Sequence, residues 1–184
     1  MADGLVLDAS VIINLLGCGA AERVLAAIPA PRVVADVTSR EIIRHPLAPA
    51  SRSNPMEPLL AAGLIERVAL LAPALGTFIQ LVGANPPNDL GDGESAAIAL
   101  AQQLGVAIAL DDTKARRIVR EQFPTLHVVS SVDLFASPAV ATALGAGLAD
   151  AVFSALINAR MRVSPENEAW VFLLLGERAA NVPA

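Results

Sequence analysis

Leu5-Val6-Leu7-Asp8-Ala9-Ser10 is a short apolar run that ends abruptly in an acid and a hydroxyl. It is too short for a buried helix and carries Val, which predicts a buried strand of an α/β sheet. Asp8 then stands at the carboxyl end of that strand, the edge of an open α/β sheet outside which ligand crevices form. Val11, Ile12, Leu15 and Leu16 follow at helical spacing, with Ser10 near the start and Gly17 and Gly19 at the close. The order is strand, then helix.

Outward from this stretch the alternation continues. Ala20 to Ile28 reads as a second helix stopped by Pro29 and Pro31, and Arg32 to Asp36 as the next strand. Thr38 or Asp36 can cap a helix containing Glu41, Ile42 and Ile43, which His45-Pro46 ends. Pro46 to Pro58 is rich in Pro, Ser, Asn and Arg and reads as a loop that could serve as a flap. Gly63 to Leu71 predicts a strand, Pro73 to Val82 a helix, and the segment from Asp92 to Gly105 another helix. Val106 to Leu110 is a buried strand by composition and ends in Asp111-Asp112; Thr113 to Gln122 is a basic amphipathic helix, and Leu126 to Val129 a strand. From Ser131 onward no further strand is expected, only helical patterns at Ser137 to Arg160, weakened by Gly145 and Gly147, and at Pro165 to Glu177, with Ser164 placed to cap. The expected architecture is α/β: three layers, α/β/α, around a mainly parallel central sheet with right-handed crossovers, plus C-terminal helices.

Composition bounds the function. At 184 residues the chain holds one well-buried core. Hydrophobic residues make up 54% and charged ones 17%, which either leaves apolar surface for a partner or reflects abundant Ala. The lone Cys18 allows no internal disulfide and no cysteine zinc site, and two His give little support for nitrogen ligation. Any metal would be held by oxygen. A net charge of -5 and a pI near 5.0 exclude coating of nucleic acid by bulk electrostatics, but not a nuclease whose acidic site is neutralised by cations. Met1-Ala2-Asp3 lacks a basic leader, and no uninterrupted apolar run approaches a membrane span, so a soluble cytoplasmic protein is expected.

Several acids fall at comparable places. Asp8 and Asp111-Asp112 end strands, Glu94 begins a helix after a Gly-containing turn, and Glu41 lies on a helix after a strand. Singly, each has an ordinary role as a helix cap, a dipole partner or a solvated acid. Gathered at one sheet edge they would repel, raise one another's pKa and cost stability unless cations neutralised them. Hard Mg²⁺ or Mn²⁺ suits such an oxygen-only cage, and two ions about 3.5–4 Å apart can activate water and stabilise the leaving oxygen of a phosphodiester.

The blocks Leu5 to Leu16, Glu41, Gly93-Glu94-Ser95-Ala96-Ala97-Ile98-Ala99-Leu100-Ala101 and Ala109-Leu110-Asp111-Asp112-Thr113-Lys114-Ala115-Arg116 together resemble those of PIN-domain proteins, including toxin ribonucleases of the VapC type. The resemblance runs over roughly residues 4 to 130, and Ala155 to Pro165 is similar to the helical extension of a PIN subgroup. It implies residues 1–133 as a PIN-like nuclease domain with a Rossmann-like sheet, and 134–184 as a C-terminal helical extension packed on it. The implied activity is a ribonuclease dependent on one or two Mg²⁺ or Mn²⁺ ions. Asp8 matches the first metal acid and Glu41 the second; Glu94 matches the third, where Asp is more frequent; the fourth falls on Asp111 or Asp112. Ser10 matches a hydroxyl that orients the first acid, and Asn14 a polar place on the first helix.

RNA phosphates would meet Arg40, Arg44, Arg52, Lys114, Arg116, Arg117 or Arg120, with Arg116 matching the family's Ala-Arg step. Aromatics at 3%, with no Tyr, leave little for base stacking. The resemblance also implies a homodimer and a small antitoxin protein covering the acidic groove. Leu144, Leu148, Val152, Leu156, Trp170, Phe172 and Leu174 could supply such a surface or pack the C-terminal helices onto the sheet. The alternatives are a catalytically inactive PIN-like binding or regulatory module and, ranked last, a receiver-type phosphoacceptor, which would want a Lys where His127-Val128-Val129-Ser130-Ser131 stands.

Overall fold

Five parallel strands lie in the order β3-β2-β1-β4-β5, with β1 (Leu5–Leu7) at the centre, β2 (Arg32–Ala35) and β3 (Glu66–Val68) on one side, and β4 (Ala107–Ala109) and β5 (Val128–Val129) on the other. This computed structural model describes residues 4–182. Leu5 registers against both Arg32 and Ala107, and Leu7 against Ala109, so β1 and β4 end side by side.

Side chains alternate across the sheet, and two separate cores result. Leu5 and Leu7 join Ile12 and Leu15 of α1 (Ala9–Gly17), Val24 and Leu25 of α2 (Ala21–Ala27), and residues of the C-terminal helices. Val6, Ile108 and Leu110 join Ala97, Ile98 and Leu100 of α6 (Asp92–Leu104) and Ile118 and Val119 of α7 (Thr113–Gln122). Both faces are therefore covered, the usual state of a parallel sheet, and the fold is the expected three-layer α/β/α arrangement with C-terminal helices. Between these lie α3 (Asp36–Glu41), α4 (Glu57–Ala61) and α5 (Ala72–Val82). The edge strand β3 is short and exposes Glu66 and Arg67, which discourages pairing with another chain.

Several local expectations are corrected. Asp36 is the first residue of α3 instead of the last of β2, and neither it nor Thr38 caps that helix, whose N-cap is Ala35. Two short helices had no legible period: α4, anchored by buried Leu59, and α8 (Ser131–Ala136), started by reciprocal bonds between Ser130 and Asp133. The helix expected over Ser137 to Arg160 divides into α9 (Pro138–Leu144), a 3-10 turn Gly145–Gly147 with Gly145 at φ 54, α10 (Leu148–Ser154) and a π-helical turn Ala155–Ala159. The last long helix is α11 (Pro165–Leu175); Ser164 is its N-cap residue but makes no side-chain capping bond.

Pro138–Ala159 is, by length and composition, apolar enough to cross a membrane, although Asp150 and Asn158 interrupt its apolar run. Its Val140, Leu144, Val152 and Leu156 nevertheless belong to the same core as β1, while Leu148, Trp170 and Leu174 pack partly buried against it. Phe172 remains exposed.

Gly17 sets how closely this segment approaches α1. A methyl at Gly17 would stand 2.6 Å from Ala159 Cβ and 3.2 Å from its backbone nitrogen, and Ser154 Oγ donates to the Gly17 carbonyl at 2.8 Å. Ala normally stabilises a helix relative to Gly by about 0.5–1 kcal/mol. Here Gly17→Ala is expected to destabilise the chain, by about 1–3 kcal/mol in urea denaturation, because backbone must move to admit the methyl.

Candidate functional site

At the carboxyl end of β1 the chain turns directly into α1, and Asp8 is the residue at the turn. Its Oδ2 accepts from the Ser10 backbone N–H at 3.1 Å and from the Ser10 hydroxyl at 2.6 Å, an N-cap that fixes the carboxyl plane. The other oxygen, Oδ1, is buried and has no partner, and the residue is 3% exposed. Burial pushes the Asp8 carboxyl above its usual range, and the charge of Glu41 adds to the rise.

Glu41 ends α3 and reaches across to the first turn of α6. Its Oε1 accepts from the Gly93 N–H at 2.8 Å, while Thr38 Oγ1, three residues earlier on the same helix face, donates to the Gly93 carbonyl at 2.8 Å. Both backbone groups of Gly93 are thus held by α3. No side chain fits there: a Cβ on Gly93 would lie 2.5 Å from Glu41 Cδ. Because the obstacle is the end of a flexible side chain, Gly93→Ala is expected to expel the Glu41 carboxylate while lowering stability by no more than about 1 kcal/mol. A nearly unchanged melting temperature with faster amide hydrogen exchange at position 93 is the expected pair of readings.

Glu94 reaches back to the N–H of Gly91, the N-cap of α6, at 2.9 Å. It is half-buried; burial raises its pKa, that backbone bond lowers it, and the charges of Asp112 and Asp8 raise it further. Glu41 is raised as well, by burial and then by Glu94 and Asp92, against the Gly93 bond. Asp112 caps α7 by accepting from the Ala115 N–H at 2.8 Å through Oδ1.

The adjacent Asp111 lives in a different network. Its Oδ1 accepts from the Ser131 N–H at 2.8 Å, and its Oδ2 accepts from the Ser131 hydroxyl at 2.5 Å and from Asn14 Nδ2 at 2.7 Å. Burial raises its pKa, these bonds oppose the rise, and the charge that bears on it is that of Arg116. Charge links Asp8 to Glu41 and Glu94, Glu41 to Glu94 and Asp92, and Glu94 to Asp112, while Asp111 stands with Asn14 and Ser131 as a clamp joining β4, α1 and α8.

Of the expected cationic contacts, Arg44 is exposed just beyond α3, and Lys114 pairs with Asp89 at 3.4 Å. Arg116 is engaged elsewhere, donating to the Leu110 carbonyl at 3.2 Å and pairing with Glu166 of α11 at 3.0 Å. Three contributors had no clear sign in the sequence. Thr38 read as a cap, although its three-residue spacing from Glu41 was the available signal. Ser131 reads as a strand end, and Arg162, whose Nη1 lies 4.0 Å from Asp112 Oδ2, comes from the connector before α11, fifty residues along the chain.

Among the described residues, no group of three acid, His or Cys side chains converges closely enough to ligate an ion as the side chains stand. Each carboxylate is turned to a backbone N–H instead. The donor set still fits a hard divalent cation. It is all oxygen, one buried oxygen is unpartnered, and Asp8, Glu41 and Glu94 are pushed toward neutrality by burial and by one another.

No curated protein and no solved structure matches the chain. The family model described as the PIN domain matches residues 4–177, which spans the sheet, all four coupled acids and α11. PIN domains are commonly nucleases and generally use divalent metal ions. By the extent of that match and by its parallel five-stranded architecture, the chain belongs to the PIN-domain family.

Proposed function

We propose that this PIN domain is a metal-dependent endoribonuclease, acting in the cytoplasm as the toxin of a toxin–antitoxin pair. The observation that carries the reading is the unpartnered, buried Oδ1 of Asp8 within a set of carboxylates that repel one another. Asp8, Glu41, Glu94 and Asp112 are the residues that would hold Mg²⁺ or Mn²⁺. When bound, one or two such ions supply an activated water and neutralise charge developing on the phosphodiester.

The chain's own residues prepare that chemistry. Ser10 holds one oxygen of Asp8 and leaves the other for the site. Thr38 and Glu41 lock the α6 N-terminus in place, and with it Glu94. The Asn14–Asp111–Ser131 clamp fixes β4 where Asp112 follows. With aromatics at 3%, strand recognition falls to phosphate contacts, which favours an RNA chosen by access and shape over one read by stacked bases. A homodimer and an antitoxin peptide are supported by exposed apolar side chains, Leu75 and Ile79 on α5 and Phe172 and Leu173 on α11.

The deciding experiment incubates purified protein with single-stranded and structured RNA in Mn²⁺ and compares Glu94→Gln. Cleavage by the wild type and its loss in the variant are expected. Equal cleavage by both would remove Glu94 from the site, and no cleavage in any divalent metal would leave the inactive binding module as the better reading.

A further inference from the structure

The connector between the π-helical turn and α11 passes beside Asp112 and is held at both ends. Arg160, at φ 55 and ψ 42, ends the helical run in the left-handed region that an ordinary residue rarely adopts. The reversal sends Met161 into the core, where it is 5% exposed. A few residues on, Glu166 ties the start of α11 to α7 through its 3.0 Å pair with Arg116. Arg162 emerges between these anchors with its side chain 78% exposed and its guanidinium 4.0 Å from Asp112 Oδ2, the outer limit of an ion pair.

Resting on the nuclease reading, we infer that Arg162 is a substrate-binding residue supplied by the C-terminal extension, which takes a phosphate of the RNA strand next to the one being cut. Its backbone is fixed but its donors are not used. Asp112 Oδ1 already accepts from Ala115, and Arg162 makes no hydrogen bond among the described residues' contacts to that carboxylate. Three of the four basic side chains of α7 are committed to protein partners, Lys114 to Asp89, Arg116 to Glu166 and Arg117 to Glu121 at 2.9 Å, and the fourth, Arg120, stands in the last turn, at the far end of the helix from Asp112. A chain of net charge -5 that gathers carboxylates at its site needs a cation at the rim to receive a polyanion. A guanidinium, with its forked donors, matches a phosphate's paired oxygens.

The test measures binding of fluorescently labelled oligouridylate by anisotropy in Ca²⁺ across a KCl series, and kcat and KM for the same RNA in Mn²⁺, for wild type, Arg162→Ala and Arg162→Lys. Loss of one phosphate contact on a single strand should reduce the slope of log K against log salt by about 0.7 in Arg162→Ala. Affinity should fall about fivefold or more, with KM rising in proportion and kcat changing less, and Lys should restore the slope, which counts charges, but only part of the affinity, because an ammonium lacks the guanidinium's fork. A merely structural role would alter melting temperature and leave the slope unchanged. If wild type cleaves RNA and Arg162→Ala keeps its affinity and slope, the inference falls and the nuclease reading stands. If wild type binds RNA with an Arg162-dependent slope but cleaves nothing, the nuclease reading falls and the phosphate contact stands.

Discussion

Asp8→Asn is expected to reduce RNA cleavage in Mn²⁺ by a factor on the order of 10²–10³ while the protein without metal melts at an equal or higher temperature. The two halves have one cause. Asp8 has two functions, an N-cap through Oδ2 and a charge presented through the buried Oδ1. Asn and Asp cap helices about equally well, so the amide keeps the bond from the Ser10 N–H and α1 stays anchored to β1. What disappears is the charge. Its burial and the repulsion from Glu41 disfavour ionisation in the folded chain, so removing it relieves the fold. Initial cleavage rates and thermal melting in chelator measure the two effects. Lost activity together with a large fall in melting temperature would mean that Asp8 is structural, and retained activity would take it out of the site.

The centre of the sheet is legible because β1 and β4 lie buried on both faces. Leu5–Leu7 and Ala107–Ala109 are completely buried runs, and such runs are conspicuous in sequence when they end in acids. The proline and glycine stops around α2, α5 and α6 were equally visible. Elements fixed by partners distant in the chain were not. The α4 helix has too few residues for a period, and α8 depends on a Ser130–Asp133 exchange that resembles any polar turn. Gly17 read as a helix terminator, yet its role is to admit Ala159, more than a hundred residues away.

The site divides along the same line. Carboxylates at strand ends and helix starts can be picked out one by one, since each position is defined by local pattern. Which of Asp111 and Asp112 belongs with Glu94 is not local. It depends on Ser131 and Asn14 supplying three hydrogen bonds to Asp111, on both of its oxygens, and on Asp112 turning toward α7. The engagement of Arg116 with Glu166 depends in turn on where α11 docks. A family likeness supplied the positions, and tertiary packing set the partners of each carboxylate.

The second large effect concerns the charge that the site accumulates. Asp8, Glu41, Glu94 and Asp111 all have folded pKa values raised above their ordinary ones. Between the ordinary carboxylate range near 4 and those raised values, the folded chain therefore binds more protons than the unfolded one, so stability falls as pH rises through the folded pKa values. Asp133 has the opposite sign. Its bonds from Ser130 and Asn167 outweigh burial and hold its pKa low, so its contribution is present above the ordinary Asp value and is lost as pH falls through the folded one. Without metal, the melting temperature should consequently be highest on the acid side of neutrality, above about pH 4. Millimolar Mg²⁺ or Mn²⁺ at pH 7.5 removes the same repulsion, and at a hundredfold excess over Kd linkage gives about 2.7 kcal/mol, or a rise of about 5–10 °C. The rise should shrink at pH 5, where protons compete for the same oxygens, and should be largely absent in Glu94→Gln. Thermal melts at the two pH values measure it directly. A shift that is equal at both, or unchanged in the variant, would mean the ion binds elsewhere.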